Sequence, residues 1–174
     1  MDIVDLLKNS DKLKEALRRA IRDNNRKLAK ILIPLVKDPY LTYLYAFEII
    51  KGKIKDEWED IIAQDPYPSY YYAKDVLNSP FIKGEDAISK KSELSYMYVQ
   101  NILKDRFEKG EEAISKSDEY SFYYAKDVLK NRFEKGEETI INDKKVLKEY
   151  MKFLKEIGKL DEFLEDHPEV KLED

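Results

Sequence analysis

The stretch Ser117–Asn142 reads SDEYSFYYAKDVLKNRFEKGEETIIN, and much of it occurs earlier in the chain at steps of 26 residues. Its segment Tyr124–Leu129 (YAKDVL) matches 98–103 (YVQNIL) and 72–77 (YAKDVL), and its segment RFEKGEE, at 132–138, also occurs 26 residues upstream. A fixed period of this length is typical of tandem repeats that stack on their neighbours. We therefore predict an all-α protein, an α-solenoid of about six two-helix repeats in a single elongated domain.

The spacing also predicts the repeat boundaries. They are a basic N-terminal cap with a diverged first repeat at 1–37, four repeats at 38–64, 65–90, 91–116 and 117–142, and an acidic capping repeat and tail at 143–174. An Asp-Pro pair opens two of the repeats, at Asp38 and Asp65, and this pair favours a helix start because Asp accepts free backbone N–H groups and Pro lacks one. Lys91 and Ser117 stand at the same position in the next two repeats, where we also expect capping.

Each repeat is predicted to be a helical hairpin. In 65–90 the apolar spacing predicts a helix over Tyr67–Leu77, a connection, and a short helix from Gly84 to Lys90. The small residues at the centre of the apolar face are Ala46, Ala73, Val99 and Ala125. The loop phenylalanines expected to close the hairpins are Phe81, Phe107 and Phe133. Most tyrosines of the long helices are predicted to be core residues with the hydroxyl at the edge.

The first repeat follows the same scheme with less regularity. The segment Ile3–Leu7 is predicted to be a short helix, and Ser10 or Asp11 is expected to cap the next one. Pro34 lies within a later apolar pattern, where it should kink or end the helix.

Composition limits the class of protein. The chain has 174 residues, 43% of them hydrophobic and 39% charged, a balance that supports a folded core under a heavily charged surface. It contains no cysteine, which excludes disulfides and thiolate chemistry and fits a reducing compartment. Its apolar runs are too short to span a bilayer, and its N-terminus carries acids where a signal peptide needs cations. We therefore expect a cytoplasmic protein that does not contact a membrane.

Charge is distributed unevenly along the chain. Residues 1–37 carry ten Lys and Arg against five Asp and Glu, whereas the remaining residues carry 22 against 31. The cations of the first repeat fall largely four residues apart and form a predicted basic face, made of Lys14, Arg18, Arg19, Arg22, Arg26 and Lys27. This basic face is a candidate contact for nucleic acid or an acidic partner, and a solvated helix surface is the alternative.

A second candidate site faces away from the predicted core. One position of the long helix holds Leu44, Tyr71, Met97 and Tyr123 in successive repeats, and the position one turn on holds Glu48, Asp75, Asn101 and Asp127. We call these residues the stripe. Stacked repeats would align them as apolar and aromatic groups bordered mainly by carboxylates, which suits a protein-binding surface. The alternative is that neighbouring repeats cover this position.

Two further features are interpreted structurally. Arg106 and Arg132 recur at one position of the repeat, and each is expected to pair with Glu111 or Glu137, or with the Glu of an adjacent repeat, and so to fix the register. His167 is the single histidine, and in its acidic surroundings it is expected to be exposed. The sequence carries no phosphate-binding loop, nucleophile motif or metal-ligand spacing, so we predict no enzyme, no catalytic residue, no cofactor and no metal.

The pattern Tyr-Ala-x-x-Val-Leu-x-x-Arg-Phe-x-x-Gly-Glu-x-x-Ile, as in Tyr124–Ile140, resembles short helical-hairpin repeats of poorly characterised tailed-phage and large-DNA-virus proteins. The resemblance covers about 38–142, although 38–64 departs from it with Ile54 in the Arg-Phe region and Trp58 in place of Gly. It implies a viral protein with a binding role, such as a factor that blocks a host defence protein in the host cytoplasm. Nucleic-acid binding through the basic face and a structural homo-oligomer are the alternatives.

Overall fold

The structure of the chain is a computed structural model that describes residues 9–171. All regular secondary structure in this range is helical, which confirms the predicted all-α class. The helix predicted at Ile3–Leu7 lies outside the described residues. The chain divides into two compact units, Met1–Ile88 and Ser89–Asp174.

The first unit contains six of the described α-helices. They are α1 (Ser10–Arg22), α2 (Arg26–Val36), α3 (Pro39–Leu44), α4 (Asp56–Ile62), α5 (Pro66–Tyr71) and α6 (Glu85–Ile88). Two of them continue directly as π-helical segments, α3 through Tyr45–Ile50 and α5 through Tyr72–Leu77. A short 3₁₀ turn, Ile82–Gly84, precedes α6.

The second unit contains the other six described α-helices. They are α7 (Ser92–Tyr98), α8 (Glu108–Ile114), α9 (Asp118–Tyr123), α10 (Glu134–Asn142), α11 (Lys144–Glu156) and α12 (Leu160–Asp166). Here α7 continues as the π-helical segment Val99–Leu103, and α9 continues as Tyr124–Leu129. Both units are therefore built from a long helix followed by a short one, as the repeat predicts.

Side-chain capping starts most of the long helices. The Asp38 carboxylate accepts from the Leu41 N–H at 3.0 Å, and the Asp65 carboxylate accepts from the Tyr67 N–H at 3.0 Å. The Ser117 hydroxyl accepts from the Tyr120 N–H, so capping is confirmed at three of the four predicted positions. It is wrong for Lys91, which makes no side-chain capping bond because an ammonium group cannot accept one.

A left-handed residue ends every π-helical segment. Lys51, Asn78, Lys104 and Lys130 have φ between 49° and 57°. The Lys51 N–H donates to the carbonyl of Ala46 at 2.8 Å, five residues back, and a further bond of 3.4 Å joins the Gly52 N–H to the same carbonyl. These wide turns end the long helix and start the connection to the short one.

The hairpin interior is closed by an aromatic pair. In one repeat of each unit the loop phenylalanine is 3% exposed and meets a fully buried tyrosine, Phe81 with Tyr72 at 5.0 Å and Phe133 with Tyr124 at 5.1 Å between ring centroids. The nearby glycine is essential to this fit, since a Cβ on Gly136 would lie 2.7 Å from the Phe133 ring. The small residues predicted at the core centre are at most 2% exposed, as expected.

The first hairpin differs from the predictions in two details. The cap of α1 is Asn9, one residue earlier than predicted, whose side chain accepts from the Lys12 N–H at 3.1 Å. Of the two outcomes expected at Pro34, a kink or an end of the helix, the second does not occur, because α2 continues two residues further, to Val36. A proline there removes only one N–H donor near the helix end.

Candidate functional site

An aromatic patch on the first unit includes one residue of the stripe, Tyr71. Tyr43 lies at its centre, with Phe47 stacked on it at 5.9 Å, Tyr71 at 6.2 Å and Tyr40 at 6.1 Å between ring centroids. Tyr43 is 7% exposed, whereas Tyr40, Phe47 and Tyr71 are 55%, 45% and 36% exposed. The patch therefore presents three accessible rings supported by a buried one. We refer to Tyr40, Tyr43, Phe47 and Tyr71 as the aromatic patch.

Two acidic residues of the stripe, Asp75 and Asp127, form contacts between consecutive repeats. The Tyr43 hydroxyl donates to Asp75 at 3.3 Å, and in the second unit the Tyr96 hydroxyl donates to Asp127 at 2.9 Å. Burial, together with these carboxylates, raises the pKa of both tyrosine hydroxyls, so both remain protonated donors at neutral pH. The carboxylates thus orient aromatic rings of the preceding repeat, a role that the sequence did not indicate.

The basic face is divided between structural and exposed cations. Lys14 pairs with Asp38 at 3.2 Å, and the Arg26 guanidinium donates to the backbone carbonyl of Ile49 at 3.0 Å. Both side chains join the first repeat to the second. Arg18, Arg19, Arg22 and Lys27 are exposed, as is Arg26 despite its bond to Ile49.

Two of these exposed arginines meet the stripe. Arg18 and Arg22 line a cleft of about 310 Å³ together with Leu44 and Glu48. Glu48 also lines a neighbouring cleft of about 470 Å³, which Phe47 of the aromatic patch borders. The first unit therefore carries cations, an acid and aromatic rings on one continuous surface. From the sequence, the basic face and the stripe were predicted as two separate sites.

The corresponding surface of the second unit is more acidic. Tyr96 lies 6.0 Å from Tyr123 and 5.7 Å from Tyr120 between ring centroids. Tyr123 lines a cleft of about 350 Å³ whose charged residues are Asp118, Glu119, Asp143, Lys145 and Glu149. Met97 is half-buried, and the Asn101 side chain donates to its carbonyl at 2.9 Å. This part of the stripe thus combines half-buried rings with an acidic rim.

The recurring arginines pair with buried glutamates as predicted. Arg106 Nε lies 2.5 Å from Glu111, and Arg132 Nη2 lies 2.7 Å from Glu137. Lys135 of the next repeat also reaches Glu111, at 2.9 Å, so the ion pairs link repeats. Both glutamates are 1% exposed.

Tyrosines of the next hairpin complete these buried networks. The Tyr150 hydroxyl donates to Glu137 at 2.7 Å and accepts from the Phe133 N–H at 3.2 Å. Burial alone would raise the pKa of Glu137, but hydrogen bonds from Arg132, Tyr150 and His167 outweigh it and lower the pKa below its usual range. The network therefore holds an ionised carboxylate inside the protein.

His167 differs from its predicted exposed position. Its Nε2 lies 3.1 Å from the Glu137 carboxylate, and its ring packs on Phe163 with centroids 4.8 Å apart. Its side chain is 22% exposed. His167 therefore contacts Glu137 at the last junction, as Lys135 contacts Glu111 at the preceding junction.

Residues 9–171 offer no sign of other kinds of site. No group of three or more His, Asp and Glu side chains in this range is placed to hold a metal ion. Within the same range no helix is long and apolar enough to cross a membrane. Comparison of the chain with protein-family models, with curated proteins and with solved structures gave no match. The function is therefore inferred from the repeat pattern and from the contacts within residues 9–171.

The sequence missed three members of the aromatic patch. Tyr43 shares its place in the repeat with Tyr96, and Tyr40 shares its place with Tyr67, but Phe47 has no aromatic counterpart, so the repeat pattern does not mark the three as one set. Their spacing of three and four residues places them on one side of a helix, and this signal could have identified them.

Proposed function

We propose that this chain is a non-catalytic protein-binding scaffold, an α-solenoid of about six hairpins that binds a protein partner through the aromatic patch of its first unit. The carrying observation is the exposure of the Tyr40, Phe47 and Tyr71 rings around Tyr43. Exposed aromatic groups on a helical scaffold are typical binding anchors, because they bury large areas with little loss of side-chain freedom. Junctions of the same chemistry, one in the first unit and two in the second, support the tandem arrangement.

The charges around the patch favour a partner with a mixed surface. Arg18 and Arg22 offer bidentate donors to carboxylates, and Glu48 requires a donor in return. Such charges at the rim of an apolar contact set specificity and the rate of association. The resemblance to viral repeats extends this proposal to a factor that occupies or blocks a host defence protein in the host cytoplasm.

Removal of the exposed rings is expected to abolish partner capture. For Phe47→Ala/Tyr71→Ala we expect the affinity for the partner to fall at least tenfold, the scale of central aromatic anchors. The partner is isolated by pull-down from the native host's lysate and identified by mass spectrometry, and its affinity for each variant is then measured by calorimetry.

Tyr67→Ala is the matched control. Tyr67 is 46% exposed, and its ring takes part in none of the aromatic contacts found within the described residues. We expect this variant to bind as wild type does. Equal affinity of the double variant and wild type, with both folded by circular dichroism, would contradict the proposal.

Salt dependence separates this function from nucleic-acid binding. A protein that neutralises several phosphates loses affinity steeply as salt rises, with a slope of about −0.9 per phosphate contact in a double-logarithmic plot. For the proposed protein partner we expect a shallow slope. A steep slope that Arg18→Ala/Arg22→Ala reduces would instead favour the basic face as a nucleic-acid site, and sedimentation of the free chain tests the homo-oligomer.

A further inference from the structure

Three junctions described within the units share one hydrogen bond. A tyrosine of the later hairpin donates to a buried glutamate of the earlier one, and the pairs are Tyr72 to Glu59 at 2.9 Å, Tyr124 to Glu111 at 3.3 Å and Tyr150 to Glu137 at 2.7 Å. Each glutamate lies three residues before a fully buried isoleucine of the short helix, at Ile62, Ile114 and Ile140. The carboxylate therefore has a fixed place in the repeat.

The first junction breaks this rule. Tyr45 occupies the same place as Tyr72, directly before a buried alanine, and it is fully buried. Its hydroxyl oxygen is the one buried side-chain polar atom without a hydrogen-bond partner within residues 9–171. In the preceding helix the residue three before the fully buried Ile33 is Lys30, which is exposed. A cation thus stands where the other junctions have the acid.

A cleft of about 490 Å³ lies at this junction. Its polar lining consists of Lys30, Tyr45, Lys53 and Lys55, and its apolar lining consists of Ile50, Ile54 and Trp58. The equivalent cleft of the second unit, of about 380 Å³, is lined instead by Glu111 and the cations that hold it. In the second unit, then, the chain itself supplies the carboxylate to this cleft.

The remaining charges leave this cleft cationic. Lys53 lies 3.8 Å from both Asp56 and Glu59, and Lys55 lies 3.8 Å from Glu57. Those distances allow only weak, partly exposed pairs. Burial raises the pKa of the Tyr45 hydroxyl, against the opposing influence of Arg26, so the hydroxyl keeps its proton. An unsatisfied donor beside lysines is the complement of a carboxylate.

We propose that the cleft between α2 and α4 binds the side-chain carboxylate of an Asp or Glu residue supplied by a protein partner. The acid forms an ion pair with the exposed Lys30 and accepts a hydrogen bond from Tyr45. To reach this fully buried hydroxyl the peptide displaces the nearly buried Ile54 and Trp58 side chains, which then contact the apolar residues that flank the acid. A peptide source fits because the carboxylates of the other junctions also arrive on a peptide segment. This site rests on the proposed protein-binding function and adds a second contact to it.

The single tryptophan provides a direct reporter. Trp58 lines the cleft, so its fluorescence can follow titration of the full chain with a capped Val-Glu-Ile peptide. We expect saturable binding, and at least tenfold weaker binding of the matched Val-Gln-Ile peptide. Tyr45→Phe, which removes only the hydroxyl, is expected to lower the affinity for the Glu peptide about tenfold.

A charge reversal at Lys30 tests whether the cleft of the first unit is equivalent to the cleft of the second unit that Glu111 lines. Lys30→Glu places a carboxylate at the position that Glu111 has in the second unit, where it is expected to accept a hydrogen bond from Tyr45. We expect a higher melting temperature and an affinity for the Glu peptide that is at least tenfold lower. Lys27→Glu makes the same charge change at an exposed position in the first turn of the same helix, where a carboxylate itself stabilises the helix by up to about 1 kcal/mol. It is therefore the control for the peptide titration, which we expect it to leave unchanged.

Three results would overturn the proposal. They are equal binding of the Glu and Gln peptides, unchanged peptide binding by Lys30→Glu, and acetate binding as tightly as the Glu peptide, which would indicate a site for free carboxylates. The Phe47→Ala/Tyr71→Ala variant should retain the Trp58 titration. An incorrect proposal for the carboxylate site can therefore be distinguished from an incorrect proposal that the aromatic patch binds the partner.

Discussion

Glu137→Ala is expected to lower the free energy of unfolding by about 3–5 kcal/mol, the usual effect of breaking a buried ion pair. The substitution removes the bidentate partner of Arg132, whose side chain is 8% exposed, and leaves it only the more exposed Asp166 carboxylate at 2.8 Å. It also deprives the Tyr150 hydroxyl of its acceptor. Urea denaturation followed by circular dichroism measures the loss. Because Tyr150 and His167 come from the next hairpin and the tail, we expect the C-terminal end of the chain to loosen first.

Glu111→Ala is the matched comparison for this prediction. It removes the same residue one repeat earlier, but its partner Arg106 is 51% exposed and can be solvated after the change. We therefore expect a smaller loss, about 1–3 kcal/mol. Equal losses at the two sites would show that burial of the arginine does not govern the effect.

The same network predicts a dependence of stability on pH. The pKa of Glu137 is lowered in the folded chain, so its contribution is fully present above the pKa of an unfolded glutamate, about 4.3, and is lost as the pH falls through the folded value. Glu137→Gln removes this titration. We expect the stability difference between wild type and this variant to shrink steadily in urea denaturation below about pH 4.5. A difference that stays constant down to about pH 2 would contradict this assignment.

The hairpin pattern was predictable because local chemistry determines it. Asp38, Asp65 and Ser117 mark helix starts through a bond between neighbouring residues, and the alanine of each long helix marks the core through its size. Lys91 shows the limit of this reasoning, since that helix begins without a side-chain cap. At Lys91 only the repeat period, and no capping residue, indicates where the helix starts.

The π-helical ends were not predictable from the residue types. Lys51, Lys104 and Lys130 adopt the left-handed conformation that sequence reasoning assigns to glycine or asparagine. The hydrogen bonds to the carbonyl five residues back and the packing of the hairpin determine this conformation. A lysine carries no signal for it.

The spacing within one repeat predicts which candidate residues are neighbours, but it does not predict their contacts with other repeats. Tyr71 and Asp75 were expected to share a surface, and they do, but the bond from Tyr43 to Asp75 depends on how one repeat meets the next. Arg18 and Leu44 likewise line one cleft only because of how their helices pack. Residue spacing within a single repeat cannot show either contact.

The second repeat departs from the common pattern by exchanging a large and a small residue. Elsewhere a phenylalanine packs on the core tyrosine and a glycine leaves room for it. In the second repeat Ile54 replaces the phenylalanine and Trp58 replaces the glycine, and the Trp58 ring meets Tyr45 edge-on at 5.6 Å. The indole therefore fills the space that Phe133 fills against Tyr124 in the fifth repeat.

This exchange predicts strong coupling between the two positions. Gly136→Trp in the fifth repeat is expected to destabilise the fold by about 3 kcal/mol or more, because even a Cβ there would lie 2.7 Å from the Phe133 ring. Phe133→Ile alone leaves a cavity and should lower stability by about 1–3 kcal/mol. Combined, the smaller residue makes room for the indole, and we expect a favourable coupling of about 1–3 kcal/mol in a double-mutant cycle.

Full recovery of stability is not expected from the double variant. The Ser121 Cβ would lie 2.6 Å from a Cβ added at Gly136, and the second repeat has threonine, Thr42, at this place and one additional residue in its length. Gly52→Ala, where an added Cβ meets nothing within 4 Å, is the control for a glycine substitution without steric conflict. Additive losses in the cycle, measured by urea denaturation, would show that the two repeats fill their interiors in unrelated ways. A favourable coupling would show that one packing arrangement, with the large side chain supplied from either position, underlies every hairpin of this type.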